Sequence, residues 1–258
     1  MLTIRNAQLE ALRAAPRQVF EDSMVAHLAK YAPKHCEVIG QQAVRTAIRL
    51  GIDRARSYGL TNKGPVRFYL ESMFMFGSDF DTDPQLRWAA AILTDGRFSD
   101  QMAKADHLYE TAMAFVDEIA GPNYRHAIEA LRRARRIRFD ELPPPGANFV
   151  DEMLARLEQI HPQKVQFLGK EATKGLITYG EELCAGLPLA PERGAGVCVA
   201  AMFAVGHGFS HDPLLPWISR TIVNPAIVRP DVRVRRLYSR IMTYLDRVLA
   251  DHDAREAS

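Results

Sequence analysis

Asp79, Asp81 and Asp83 alternate in the stretch GSDFDTDP, the spacing with which a calcium loop opens. Such a loop also needs Gly at its sixth position and a bidentate Glu at its twelfth; Pro84 and Ala90 stand there. A second grouping, His207, His211 and Asp212, offers two imidazoles and a carboxylate, half of a zinc-type site with no third ligand nearby. It reads as two loop histidines beside a capping aspartate. The GxG in Gly194–Val199 follows no strand, so it reads as glycines at a helix start rather than a phosphate cradle. Ser, His and Asp are present, but there is no GxSxG elbow, Walker loop or HExxH pair. No catalytic, cofactor-binding or metal-ligating residue is therefore assigned, and no cofactor is expected.

The elements that carry these residues occur twice, at a constant spacing of 129 positions. Phe20, Met24, Leu28 and Pro33 return as Phe149, Met153, Leu157 and Pro162. Met73, Phe74 and Gly77 return as Met202, Phe203 and Gly206, and Leu108, Tyr109 and Met113 as Leu237, Tyr238 and Met242. Most telling is FxxDPxLxW: Phe80, Asp83, Pro84 and Trp88 recur as Phe209, Asp212, Pro213 and Trp217. Such a repeat is the signature of a duplicated structural unit.

Within each copy the apolar period is helical. Phe20, Met24, Leu28 and Tyr31 stripe a first helix. A second runs from about Gly40 to Tyr58 and again from Gly169 to Leu187, with Gly51 and Gly180 inside it. A glycine there costs about 1 kcal/mol against alanine, which predicts close approach of a neighbouring helix. A third presents Val66, Tyr69, Leu70, Met73 and Phe74, closed by Gly77 and Gly206 as left-handed caps. Asp83-Pro84 and Asp212-Pro213 open a fourth, each Asp accepting from orphan N–H groups; replacing either with Ala should cost about 0.5–2 kcal/mol. Trp88 and Trp217 follow one turn later as core anchors. A last helix covers about 99–120 and 231–252.

The expected fold is all-α, two tandem pseudo-symmetric helical-bundle repeats of about five helices each, with essentially no sheet. Residues 1–121 form the N-terminal repeat, with an extra helix over 1–15 broken or kinked near Pro16. Residues 122–148 are a basic connecting helix and the stiff linker Leu142–Gly146. Residues 149–258 form the C-terminal repeat, frayed after Ala254.

Composition is ordinary for a globular chain: 258 residues, 47% hydrophobic, 25% charged and a net charge of +2. No run approaches the roughly 20 apolar residues of a membrane span, and the N-terminal stretch lacks the apolar core of a signal peptide. Three cysteines without a CxxC pair read as small apolar residues of a reducing compartment. The expectation is a cytoplasmic protein without membrane insertion. The cluster Arg132, Arg133, Arg135, Arg136 and Arg138 could hold phosphate, but so small a net charge argues against nucleic acid as the partner.

The stretch from Phe20 to Asp95 resembles a small family of bacterial all-α proteins through FEDxMVxHL, GIDRARSYGLT, the helix ending MFxFG, and DFDTDPQLRWAAAIL. The second copy resembles it more loosely, with DFDTDP replaced by GFSHDP. The resemblance implies proximity to type VI secretion genes and no catalytic residues. It implies a cytosolic accessory: a chaperone or adaptor of a secreted effector or spike-tip protein, or an immunity protein. A hydrolase, metal-dependent or otherwise, and a nucleic-acid-binding protein using Arg132–Arg138 are the alternatives. Because the loop after the third helix keeps its frame while its side chains change, Asp79, Phe80, Asp81, His207, Phe209 and His211 are the expected partner-binding residues. Reversing charge at Asp79 and Asp81 should then weaken partner capture and leave stability unchanged.

Overall fold

The structure is a computed structural model that describes residues 6–256, with side chains from Arg17 onward. Thirteen α-helices, and no strand among the described residues, make up the fold. They are α1 (Asn6–Tyr31), α2 (Pro33–Ile39), α3 (Gln41–Ser57), α4 (Lys63–Phe76), α5 (Arg87–Thr94), α6 (Gln101–Ala120), α7 (Arg125–Arg136), α8 (Phe149–Ile160), α9 (Pro162–Leu168), α10 (Lys170–Ala185), α11 (Pro191–Val205), α12 (Pro216–Ile222) and α13 (Pro230–Glu256).

Two clusters of buried apolar side chains organise the packing. In the first, Met24, Leu28, Ile48, Tyr69, Met73, Phe80 and Leu108 come from α1, α3, α4, α6 and the loop after α4. In the second, Met153, Leu157, Ile177, Cys198, Met202, Phe209 and Leu237 come from α8, α10, α11, α13 and the loop after α11. These pairs are 129 positions apart because the helical stripe that selects a buried face is the same in both stretches. The interior glycines act as expected. A Cβ on Gly51 would stand 2.4 Å from Leu70 Cδ2, and one on Gly180 2.7 Å from Val199 Cγ2, so α4 and α11 cross their neighbours at these points.

Four details differ from the sequence expectation. Helix α1 runs unbroken across position 16, where a break was expected; residues 1–5 lie outside the described residues. Two short helices, α2 and α9, were not foreseen. Each begins with a proline at its first position, where a missing N–H costs nothing, and each ends at a glycine of positive φ, Gly40 and Gly169. The linker is more than a spacer: Leu142 is buried in the second core, against Gly196, and its carbonyl accepts from Arg193. Finally, α13 stays helical to Glu256, past the expected fraying point, with Arg255 paired to Asp251 one turn earlier; residues 257–258 lie outside the described residues. Of the cysteines, Cys184 and Cys198 are buried, whereas Cys36 is only partly so and its thiol donates to the Leu28 carbonyl.

The connecting helix α7 docks on α13 and α8, and two of its arginines pair with α13. Arg132 pairs with Asp253, Arg135 with Asp246, Arg133 with Glu129, and Arg138, just beyond the helix, with Glu141.

His161 caps α9, its Nδ1 accepting from the Lys164 N–H. Burial, reinforced by the Lys164 charge, pushes its pKa down to about 4. The ring is therefore neutral in the fold while an unfolded chain protonates it near 6.5, so stability present above pH 6.5 is lost as pH falls toward 4. His161→Asn keeps a cap but not the titration. Urea denaturation of the native chain should show about 2–3 kcal/mol more loss than this variant between pH 7.5 and 4.5. Equal losses would show that His161 does not set the acid limit.

Candidate functional site

The two acidic and histidine-bearing loops identified in the sequence meet face to face. Asp83 Oδ1 accepts from the Gln85 N–H at 2.8 Å, the expected local cap, while its Oδ2 accepts from the His207 N–H of the other loop, also at 2.8 Å. Asp212 does the converse: Oδ1 takes the Leu214 N–H at 2.7 Å and Oδ2 takes the Ser78 N–H at 2.9 Å. Ser78 and His207 are themselves matched positions, so the two loops exchange equivalent bonds. Each Asp caps its own turn and clasps the other half.

Backbone contact accompanies the exchange. A Cβ on Gly77 would lie 2.7 Å from the Val205 carbonyl oxygen, and one on Gly206 3.1 Å from that of Phe76. Their φ and ψ, near 100° and 156°, are not those of the expected left-handed caps. The chain leaves the helix in an extended positive-φ conformation, as it also does at Gly40 and Gly169; only at Gly77 and Gly206 does an opposing backbone pass where a side chain would be. Asp83 does not open a long helix directly either. It starts a single 3-10 turn, Pro84–Leu86, before α5, and after Asp212 a turn precedes α12.

Position 85 and its match at 214 each reach across. The Gln85 amide donates to the Met202 carbonyl at 2.9 Å, and Leu214 is buried in the first core. Beside them, the Lys164 ammonium donates to the Phe203 carbonyl and lies over the Phe203 ring. Burial pulls it down to about 8. At the matched positions His35 meets Phe74 edge-on.

The remaining residues of the acidic run point inward. Asp79 is 7% and Asp81 4% exposed, and Phe80 and Phe209 are fully buried, so the display expected of these four side chains is not found. Phe80 and Phe209 carry the apolar payload that seats each loop on its own core. Arg54 pairs with both Asp79 and Asp81 and donates to the Ser78 carbonyl. Asp81 Oδ2 accepts from the hydroxyls of Tyr69 at 2.7 Å and Tyr58 at 3.0 Å. Burial and the Asp81 charge push Tyr58 up to about 12 and Tyr69 higher still. Charge reversal at Asp79 and Asp81 would bury unpaired lysines against Arg54, contrary to the expected neutral effect on stability.

The second half replaces this network as a set: Leu183, Leu187, Cys198, Gly208 and Ser210 match Arg54, Tyr58, Tyr69, Asp79 and Asp81. Steric need explains the central exchange. A Cβ on Gly208 would lie 1.8 Å from Asp79 Oδ2, so only one carboxylate fits where the loops touch.

Of the expected binding residues, His211 alone is well exposed, its Nε2 3.1 Å from Asp79 Oδ2; His207 is half-buried, its ring 3.5 Å from Asp83. Burial opposes protonation of His207, but Asp83, Asp79 and Asp81 outweigh it and raise its pKa. Conversely, burial works against the Asp83 charge, and the His207 ring with the Gln85 and His207 N–H groups holds its carboxyl below the ordinary value. Burial raises Asp212. The space between the loops has no room for a water molecule, and no cluster of three or more His, Cys, Asp or Glu able to hold a metal occurs among the described residues. Trp88 is half-buried against Phe76 and Phe115, and Trp217 against Tyr244.

Arg54, Tyr58, Tyr69, Gln85, Lys164 and Leu214 were not anticipated. For Arg54, Tyr58 and Tyr69 a signal was available inside the chain: with Asp79 and Asp81 they are five polar positions whose counterparts 129 residues on are all small or apolar.

Two stability measurements test the clasp. Asp83→Ala removes a cap and a bond between halves and leaves the buried His207 N–H unpaired, so it should cost about 2–4 kcal/mol rather than the 0.5–2 of a simple cap. A loss below about 1 kcal/mol would mean the cross-bond contributes nothing. Gly77→Ala meets backbone oxygen, whereas Gly40→Ala, in nearly the same backbone conformation (φ 82°, ψ 156°), meets nothing within 4 Å. The latter should cost about 1–3 kcal/mol of strain and the former clearly more; equal costs would remove the close approach as the reason for Gly77.

No protein-family model, curated protein or solved structure matches this chain.

Proposed function

We propose that this chain is a non-enzymatic, cytosolic protein-binding accessory of a type VI secretion system, either a chaperone or adaptor of a secreted effector or spike-tip protein or its immunity protein. We further propose that it consists of two copies of one helical unit. In support of the duplication, α8 and α9 start 129 positions after Phe20 and Pro33, α11 ends 129 after α4, and α13 starts 129 after α6. The reading of a binding protein rests on one observation above all. The carboxylates that offered the best prospect of chemistry are spent on Arg54, two tyrosines and backbone N–H groups.

Against the nucleic-acid alternative, four of the five arginines of the Arg132–Arg138 run already hold acidic partners within the chain, although these pairs are exposed. A surface suited to a partner lies elsewhere, in an open groove of about 360 Å³ between the linker, α8 and α11. Pro143 and Pro144 line it without N–H groups, and Glu141, Glu152 and Arg156 supply charges of both signs. An open groove of mixed lining, with prolines beside charges of both signs, fits an extended, polar segment.

Co-expression with the effector encoded beside the gene tests the proposal. An adaptor should raise the effector's solubility and secretion; an immunity protein should abolish its toxicity. Glu152→Lys with Arg156→Glu should weaken either effect without lowering the melting temperature. An effector whose solubility, secretion and toxicity are all indifferent to the chain would overturn the reading.

A further inference from the structure

Helices α6 and α13 occupy matched places in the two halves but carry opposite charge on their outer faces. Helix α6 has no arginine, and its one lysine, Lys104, is buried and donates to the Leu93 and Tyr58 carbonyls. Its acids Asp106, Glu110 and Asp117 are exposed. Glu110 has only His107 nearby, at 4.0 Å, and neither Asp106 nor Asp117 has a basic partner among the described residues.

In α13, residues 232–247 contain five arginines and one acid, Asp246, which Arg135 of α7 already holds. Arg233 is buried and spent on the carbonyls of Pro188, Asn224 and Ile227, and Arg235 lies over the Phe139 ring. Arg236, Arg240 and Arg247 remain, all exposed. Arg240 donates to the Thr221 hydroxyl of α12 at 2.8 Å, which fixes its position without neutralising it. Arg236 and Arg247 have no acidic partner among the described residues.

Spacing turns these charges into matching stripes. Residues four apart share a helix face, and eleven residues complete about three turns. Asp106, Glu110 and Asp117 therefore line one face of α6, and Arg236, Arg240 and Arg247 line one face of α13 at the same intervals of four and seven. One turn before each stripe stands an exposed apolar side chain, Met102 on α6 and Val232 on α13. Laid side by side and parallel, the two stripes meet at all four positions, apolar on apolar and then three pairs of opposite charge. Laid antiparallel, the unequal intervals bring at most two of the charges together. Within one molecule they are held apart, since α6 packs on α4, α5, α7 and α9, and α13 on α7, α11 and α12. No helix among the described residues is long and apolar enough to cross a membrane, and the outer faces of these two are charged.

We propose that copies of this chain associate head to tail, the acidic stripe of α6 on one copy lying parallel to the basic stripe of α13 on the next. Asp106 then faces Arg236, Glu110 faces Arg240, Asp117 faces Arg247, and Met102 rests on Val232. The occupant is a second copy because the chain itself displays the complementary stripe, in sign, spacing and apolar start. Such a contact uses two different surfaces, so each copy keeps one stripe free and the assembly grows until it closes into a ring or continues as a filament. The inference goes beyond the proposed secretion role and does not rest on it.

Sedimentation velocity of the full chain should show association that rises with protein concentration at low salt and weakens as salt is added. Two variants each reverse one stripe at positions free of internal bonds: Asp106→Lys with Asp117→Lys, and Arg236→Glu with Arg247→Glu. Either alone should weaken association by about ten-fold or more with an unchanged melting temperature. An equimolar mixture of the two sets lysine against glutamate and aspartate against arginine, so it should recover the association that each variant lost. Three outcomes would overturn the proposal: a chain that stays monomeric up to about 1 mM at low salt; association indifferent to both reversals; or a loss that the mixture does not restore, which means that the stripes do not face each other.

Discussion

Two carboxylates, Asp83 and Asp212, hold the halves of this protein in register, each accepting one N–H from its own turn and one from the opposite loop. A carboxylate can accept several bonds, which lets one side chain serve as helix cap and cross-link together. Both are almost entirely buried, so an unfilled partner would carry the full desolvation penalty. The arrangement is accordingly all-or-none: losing either loop's position strands charged acceptors and backbone donors at once. Everything nearby accommodates this contact, from the glycines that let backbones touch to Gln85 and Leu214 crossing into the other half.

Asymmetry within this frame has a physical source. Two equivalent loops brought together place equivalent residues close to each other, and positions 79 and 208 nearly coincide. A second carboxylate there would clash and repel. With Asp79 on one side, the other must be glycine, and Arg54, Tyr58 and Tyr69 complete the buried charge on the side that keeps it. The histidines lie on the glycine-bearing loop and face the aspartates of the other. What looks in sequence like free variation of a displayed turn is the consequence of packing two similar turns against each other.

The same logic relocates the surfaces open to partners. Side chains of the clasp face inward and are engaged mostly with one another, whereas the linker groove leaves polar and apolar groups facing outward. The groove lies at the connection leading to the second half, away from the acidic network of the first.

Periodicity and spacing alone determined the helical class, the pairing of segments 129 residues apart, the buried stripes of Met24, Leu28, Met73 and their counterparts, and the need for small residues at Gly51 and Gly180. These are local properties: a 3.6-residue repeat chooses a face, and proline or glycine punctuates a segment wherever it stands. Short helices α2 and α9 escaped because seven residues carry too few turns to show a period. The role of the acidic loops was decided only in three dimensions. Nothing in GSDFDTDP or GHGFSHDP encodes that one loop completes the other, since the donors for Asp83 and Asp212 lie 124 and 134 residues away. A carboxylate on a turn is solvated, catalytic or structural according to what is packed over it, and the fold packs each turn with its own counterpart.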